Sequence, residues 1–357
     1  MSLIKTSGFG TRFRVRSLVA GILTLVLVGL GVLWFQIQPN SATAAGLWVR
    51  AGEDVVTARA YLVGQIFGEG SITDDSTRKV ETIDCDVTTD LYCGTFDNVR
   101  TVEALTVTMA YGMTSRVTIL TPAHPQEFFT MYHHGHAAPS EYSADFAPTI
   151  NALLSAGHTV AIIAMPFLPP NDHTLSVAGS TVSTHDELVE LPRTAPSSEL
   201  RFFLQPVFQT VDEFTARHPD WQIQLTGLSG GGWTTVVAAA IDTRIDRSVS
   251  IAGSTSFSSW GPRESIDYEQ TLPGIAHRID YVDLYVLMTH PQRSATLVYN
   301  TDDPCCFAPG DNPWVWDDAV TSLAGKVGGT LDVTYQSSNI HDIGSEGLKA
   351  ILLISGE

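Results

Sequence analysis

The 357-residue sequence predicts an α/β fold, a mostly parallel central sheet with helices on both faces. Three observations carry that expectation. Strand-like and helical runs alternate from residue 101 onwards. Two strand runs, 127–132 and 161–165, are apolar enough to be buried on both sides. One strand is turned sharply into a helix by Gly227-Leu228-Ser229-Gly230-Gly231.

Taken in order, residues 46–100 hold Gly, Asp and Thr clusters and one apolar stretch at 55–67, and read as an N-terminal extension packed on a main domain of residues 101–357. Residues 102–109 and 116–120 alternate at period two, which predicts an antiparallel pair at the sheet edge. The buried run 127–132 ends in His133-His134-Gly135-His136 and leads into a helix over 141–155, followed by the strand 161–165. Residues 166–198 are polar, proline-rich and long for a connection inside a compact domain, which predicts a rim or lid segment.

Leu200, Phe203, Leu204, Val207, Val211 and Phe214 keep helical spacing across 199–218, with Pro206 expected to kink that helix or start a new one. Ile223 and Leu225 alternate with Gln222 and Gln224 in the strand before the serine, and an alanine-rich helix runs from 233 to 241. The sixth strand spans 247–253, and residues 254–294 read as an insertion or lid after it. Strands at 295–300 and 330–335, a helix at 314–323 between them and a closing amphipathic helix at 347–354 complete the domain.

A strand-to-helix corner forces its central residue into a strained backbone that only small neighbours permit, and Gly227, Gly230 and Gly231 supply them. The Ser229 hydroxyl then stands above the sheet, where the N–H groups opening the helix face any oxyanion formed beside it. A serine hydroxyl is a poor nucleophile unless a base lies within hydrogen-bond reach, itself oriented by a carboxylate. Asp302 and Asp303 follow one late strand and His341 the next.

Those residues together resemble the α/β-hydrolase superfamily of esterase-like serine hydrolases over roughly seven tenths of the chain. The matching features are Gly227-Leu228-Ser229-Gly230-Gly231, His134-Gly135 after the third strand, Asp302-Asp303-Pro304 and the late His341. The resemblance implies Ser229 as nucleophile, His341 as base and Asp303 as its orienting acid, with Asp302 as the rival. It also implies an oxyanion hole from the backbone N–H of Gly230 and of Gly135 or His136. No cofactor is implied. The expected reaction is hydrolysis of a small or polymeric carboxylic ester through an acyl-enzyme.

Trp233, Trp260, Tyr268 and Tyr281 are candidates for lining a substrate cleft. Three competing readings have their own residues or logic: a peptidase or amidase of the same fold, a zinc hydrolase using His133, His134 and His136, and a non-catalytic binding protein on a hydrolase scaffold. The chain after the histidines continues Ala137-Ala138-Pro139, without the Asp-His pair a zinc hydrolase of the metallo-β-lactamase kind needs, so no metal is expected.

The first 45 residues carry Lys5, Arg12, Arg14 and Arg16 before an uncharged apolar run from Leu18 to Phe35, long enough to cross a bilayer. Basic residues ahead of it favour export of everything after it. Ala42-Thr43-Ala44 resembles a cleavage site, so the segment reads as a signal peptide or an uncleaved anchor facing the exterior, and membrane contact is expected only there. The first 45 residues hold four of the 20 Lys and Arg and no Asp or Glu, so 16 basic and 38 acidic residues remain beyond them, a net charge of −22. Such a surface repels nucleic acid. Export also suits disulfides: Cys85 with Cys93, and Cys305 with Cys306, is the preferred of three pairings.

Overall fold

The computed structural model describes residues 47–87, 91–136, 144–191, 198–261, 267–271 and 278–353. The apolar run at 18–35 and the cleavage-like site at 42–44 lie outside these, and among the described residues no helix is long and apolar enough to cross a membrane.

Nine strands form one sheet. They are β1 (Thr77–Ile83), β2 (Val99–Thr108), β3 (Thr114–Pro122), β4 (Phe128–His133), β5 (Thr159–Ile163), β8 (Gln222–Leu228), β9 (Arg247–Ile251), β10 (Ser294–Asn300) and β11 (Thr330–Gln336). A separate hairpin joins β6 (Leu175–Val177) to β7 (Ser180–Val182). The order across the sheet is β1-β2-β3-β5-β4-β8-β9-β10-β11. From β5 to β11 every pairing is parallel, while β1, β2 and β3 join antiparallel at one edge. The mostly parallel sheet is as the sequence predicts, and β1 adds an outermost strand that it does not announce.

Period-two alternation explains how the middle strands are buried on both faces. In β5, Ala161 and Ile163 belong to one core and Val160 and Ile162 to the other. The second core is closed by α2 (Phe146–Ser155) and α7 (Gly344–Leu352), through Phe146, Ile150, Leu153, Ala350 and Ile351. The first is closed by α1 (Gly52–Phe67), α3 (Arg201–Arg217), α4 (Gly230–Ile241), α5 (Tyr281–Leu287) and α6 (Asp317–Lys326). Pro206 lies inside α3, which continues through it as one helix.

Residues 47–87 and 91–100 are built into this frame. Val55, Ala58, Leu62 and Ile66 form the buried stripe of α1. Arg59 donates to the carbonyls of Ala240, Leu287 and His290, which tie α1 to the ends of α4 and α5. Ahead of α1, Val49 N–H donates to Asp283 Oδ1 at 2.9 Å. Cys85 is bridged to Cys93, and Cys305 to Cys306.

Two expectations need correction. Residues 254–294 are not a lid throughout, because every residue of α5 is buried. Tyr281 and Trp233, offered as cleft residues, are core instead: Trp233 Nε1–H donates to Tyr281 Oη at 2.9 Å, and Tyr281 O–H donates to the Gln270 carbonyl at 2.7 Å. The hydroxyl of Tyr281 satisfies the indole N–H and is itself satisfied by the Gln270 carbonyl, which is what lets two such large side chains be enclosed.

Candidate active site

Ser229 stands between β8 and α4 with φ 59° and ψ −127°, a conformation that costs a non-glycine residue roughly 1–3 kcal/mol. Surrounding contacts hold it there. Ser229 N–H donates to the Ile251 carbonyl at the end of β9, and its own carbonyl accepts from Trp233 N–H, both at 2.9 Å. The corner is crowded by backbone: a Cβ at Gly231 would overlap the His133 carbonyl, and one at Gly227 would lie 2.6 Å from that same oxygen. Glycine at both positions is therefore what allows β4 to pass beside the turn.

The loop after β4 lies against this corner. A Cβ on Gly135 would stand 3.0 Å from Ser229 Cβ and 3.1 Å from the Gly230 nitrogen, and one on Gly230 would lie 2.7 Å from the His136 ring. Ser229, Gly230, Gly135 and His136 are thus neighbours. His133 and His134 are taken up by the scaffold: His133 Nδ1–H donates to the His134 carbonyl at 2.7 Å, and His134 Nε2 pairs with Tyr92 Oη at 3.2 Å. Burial lowers the His133 pKa to about 4, so it is held neutral. Among the described residues, the ligand atoms of His133, His134 and His136 are not gathered within 4.8 Å of one another, which disfavours a zinc centre built on these three histidines.

At the ends of β10 and β11, His341 Nδ1–H donates to Asp303 Oδ2 at 2.8 Å. The Asp303 side chain has no solvent exposure. Its carboxylate also accepts from Asn300 Nδ2 at 3.1 Å, and from the N–H groups of Cys305 and Cys306 at 2.8 and 3.3 Å. Burial pushes its pKa up, but His341 and these donors outweigh it and leave the carboxyl below its ordinary value. With Nδ1 as donor, Nε2 carries the lone pair. It is buried and without a hydrogen-bond partner, so the Ser229 hydroxyl is not bonded to it in this state. Asp302 is exposed, and among the described residues its carboxylate accepts a single 3.3 Å bond, from Thr301 Oγ1.

Asn300 and Gln336, which the sequence does not single out, brace the pair. Asn300 Nδ2 donates to the Asp342 carbonyl at 3.1 Å, while its Oδ1 accepts from Gln336 Nε2 at 2.6 Å. Gln336 also reaches the Ile343 carbonyl at 2.8 Å. The ends of β10 and β11 and the His341 loop are thus tied by side-chain amides.

Beside Gly230, His136 Nε2–H donates to Glu269 Oε1 at 3.0 Å, and its Nδ1 lies 3.6 Å from Asp267. Burial works to lower the His136 pKa, but Glu269 and then Asp267 outweigh it and raise it. Of the predicted cleft aromatics, Trp260 and Tyr268 remain partly exposed. Trp260 Nε1–H donates to the Thr255 carbonyl at 3.2 Å.

No protein-family profile matches the sequence, and neither does any curated protein sequence. Solved structures do resemble it. Acetyl xylan esterase 1 from Thermoanaerobacterium sp. JW/SL YS485 is 15% identical with a TM-score of 0.52, covering 89% of this chain and 97% of that one. A glucuronoyl esterase from Solibacter usitatus is 12% identical with a TM-score of 0.54, covering 84% and 92%. Another from Teredinibacter turnerae T7901 is 14% identical with a TM-score of 0.54, covering 85% and 84%. At these identities the likeness is one of architecture, and together with the strand order and the serine corner it makes this an α/β-hydrolase fold.

Proposed function

We propose that the protein is an exported serine hydrolase that cleaves carboxylic esters through an acyl-enzyme, with Ser229 as nucleophile, His341 as general base and Asp303 as the acid that orients it. The observation that carries this reading is the bond from His341 to the buried Asp303, which leaves the imidazole Nε2 free, on the same strand-end rim as a serine in a strained turn.

In the acylation step Ser229 Oγ attacks the ester carbonyl while its proton passes to His341 Nε2. The imidazolium is stabilised by Asp303, and the oxyanion by N–H groups of Gly230 and of Gly135 or His136. Collapse expels the alcohol, which takes the proton from Nε2. Water then attacks the acyl-serine by the same route, returning the proton to Oγ and releasing the acid.

Ester rather than amide is supported by the esterases that share the fold, and sugar esters are the first substrates to try because those neighbours are named for them. Export is supported by the basic residues and apolar run at the N-terminus, and the disulfides are compatible with it. The test is turnover of an aryl acetate and of acetylated xylan. Ser229→Ala and His341→Ala should each lower kcat by several orders of magnitude. Retention of wild-type kcat by either variant would falsify the assignment.

A further inference from the structure

We propose that His136, His185 and Glu269 form a binding site for a divalent transition-metal ion of the zinc class on the rim beside Ser229. This goes beyond the serine chemistry and does not depend on it.

The three residues come from separate segments: the loop after β4, the connection between the β6–β7 hairpin and α3, and the short turn Tyr268–Thr271. One ligand atom from each lies within 4.8 Å of the other two. His136 Nε2 is 3.0 Å from Glu269 Oε1, and the two imidazole rings are 4.9 Å apart. The independent pointer is Glu269 itself. Its side chain has no solvent exposure, and Oε2 is buried with no hydrogen-bond partner.

A buried carboxylate oxygen without a donor is costly, and a cation held between Glu269 and the two imidazoles would give it a partner. Two imidazole nitrogens with one carboxylate oxygen suit zinc-class ions, whereas magnesium and calcium favour all-oxygen sets. Asp267 lies 3.6 Å from His136 Nδ1 and Asp186 3.6 Å from His185 Nε2, adding negative charge around the site. An ion bound at His136 Nε2 takes the place of the proton now donated to Glu269, which passes to Nδ1 facing Asp267 or to solvent. The ion would staple three rim segments next to the residue that follows the nucleophile.

The test is calorimetric titration of the chelator-stripped, tag-free protein with Zn²⁺ alone, for wild type, His185→Ala and Glu269→Gln. We expect one equivalent bound by wild type, with affinity weakened by about a hundredfold or more in each variant, since first-sphere losses should match or exceed the roughly 10–100-fold of outer-shell ones. Because a change at a buried carboxylate can impair folding, zinc K-edge absorption on the wild-type complex gives a reading free of variants, with two imidazoles and carboxylate oxygen in the first shell expected. Absence of stoichiometric binding by wild type, unchanged affinity in both variants, or a first shell without imidazole would overturn the site.

Discussion

Asp303→Asn changes one atom and tests the acid's role. The carboxylate accepts from four donors, namely His341 Nδ1, Asn300 Nδ2 and the N–H groups of Cys305 and Cys306. In the variant the amide oxygen can stay with the two cysteine N–H groups, and the amide NH₂ then faces His341 Nδ1 and Asn300 Nδ2. Asn300 cannot rotate away without losing its bond from Gln336. One donor–donor conflict therefore persists, costing about 1–3 kcal/mol of stability. His341 relieves the other by accepting at Nδ1, which moves its proton to Nε2 and removes the lone pair that Ser229 needs. A wrong tautomer at this position lowers kcat by about ten-thousandfold, or roughly 5.5 kcal/mol of barrier. The assay is aryl acetate hydrolysis at pH 7, with circular dichroism to confirm the fold and Asp302→Asn as control, since exposed Asp302 should be within about twofold of wild type. A folded Asp303→Asn enzyme within tenfold of wild type, or an equal loss in Asp302→Asn, would refute the reasoning.

Four further outcomes follow. Because the Asp303 carboxyl is held below its ordinary value, the stability it contributes is present above the unfolded carboxyl range near pH 4 and lost as pH falls through the lower folded value. The gap in unfolding free energy between wild type and Asp303→Asn should therefore be flat above about pH 5 and close on acidification; a gap that widens contradicts the depressed value. Gly231→Ala should destabilise by about 3 kcal/mol or more, because its methyl meets the His133 backbone carbonyl rather than a movable side chain; chemical denaturation measures it. Replacing Cys85 and Cys93 together by serine removes a bridge across an eight-residue separation and should cost about 2–3 kcal/mol by chain-entropy arithmetic. Tyr281→Phe should cost about 1–3 kcal/mol by leaving Trp233 N–H unpaired, with KM unchanged; a raised KM at normal stability would return Tyr281 to the substrate cleft.

Much of the fold was legible because its signals are local. Apolar alternation in β2 and β3 reports directly on which face each side chain takes, and glycines around Ser229 report a turn that larger residues would block. β1 was illegible for the opposite reason. Most of its side chains are exposed at the sheet edge, so Thr77-Arg78-Lys79-Val80-Glu81 carries no burial pattern to read. The stripe of Val55, Ala58, Leu62 and Ile66 has helical spacing, but set among Gly, Asp and Thr clusters it reads in sequence only as an apolar stretch over 55–67. Around the candidate site, linear order could propose Ser229, Asp303 and His341, and backbone hydrogen bonds to Oδ1 then distinguish Asp303 from its exposed neighbour. Asn300, Gln336 and the grouping of Glu269 with His185 left no such trace, since their roles arise from contacts between remote segments. The aromatics misled because the polar ends of Trp233 and Tyr281 find partners inside the core, in Tyr281 and the Gln270 carbonyl respectively.

The central claim is that Ser229 is a nucleophile activated from the end of β11. It is tested most directly by treating the folded enzyme with a fluorophosphonate and locating the adduct by peptide mass spectrometry. The account predicts one phosphonyl group, on the peptide containing Ser229, absent from Ser229→Ala and formed far more slowly in His341→Ala. An adduct on another residue, or one that persists in folded Ser229→Ala, would contradict it.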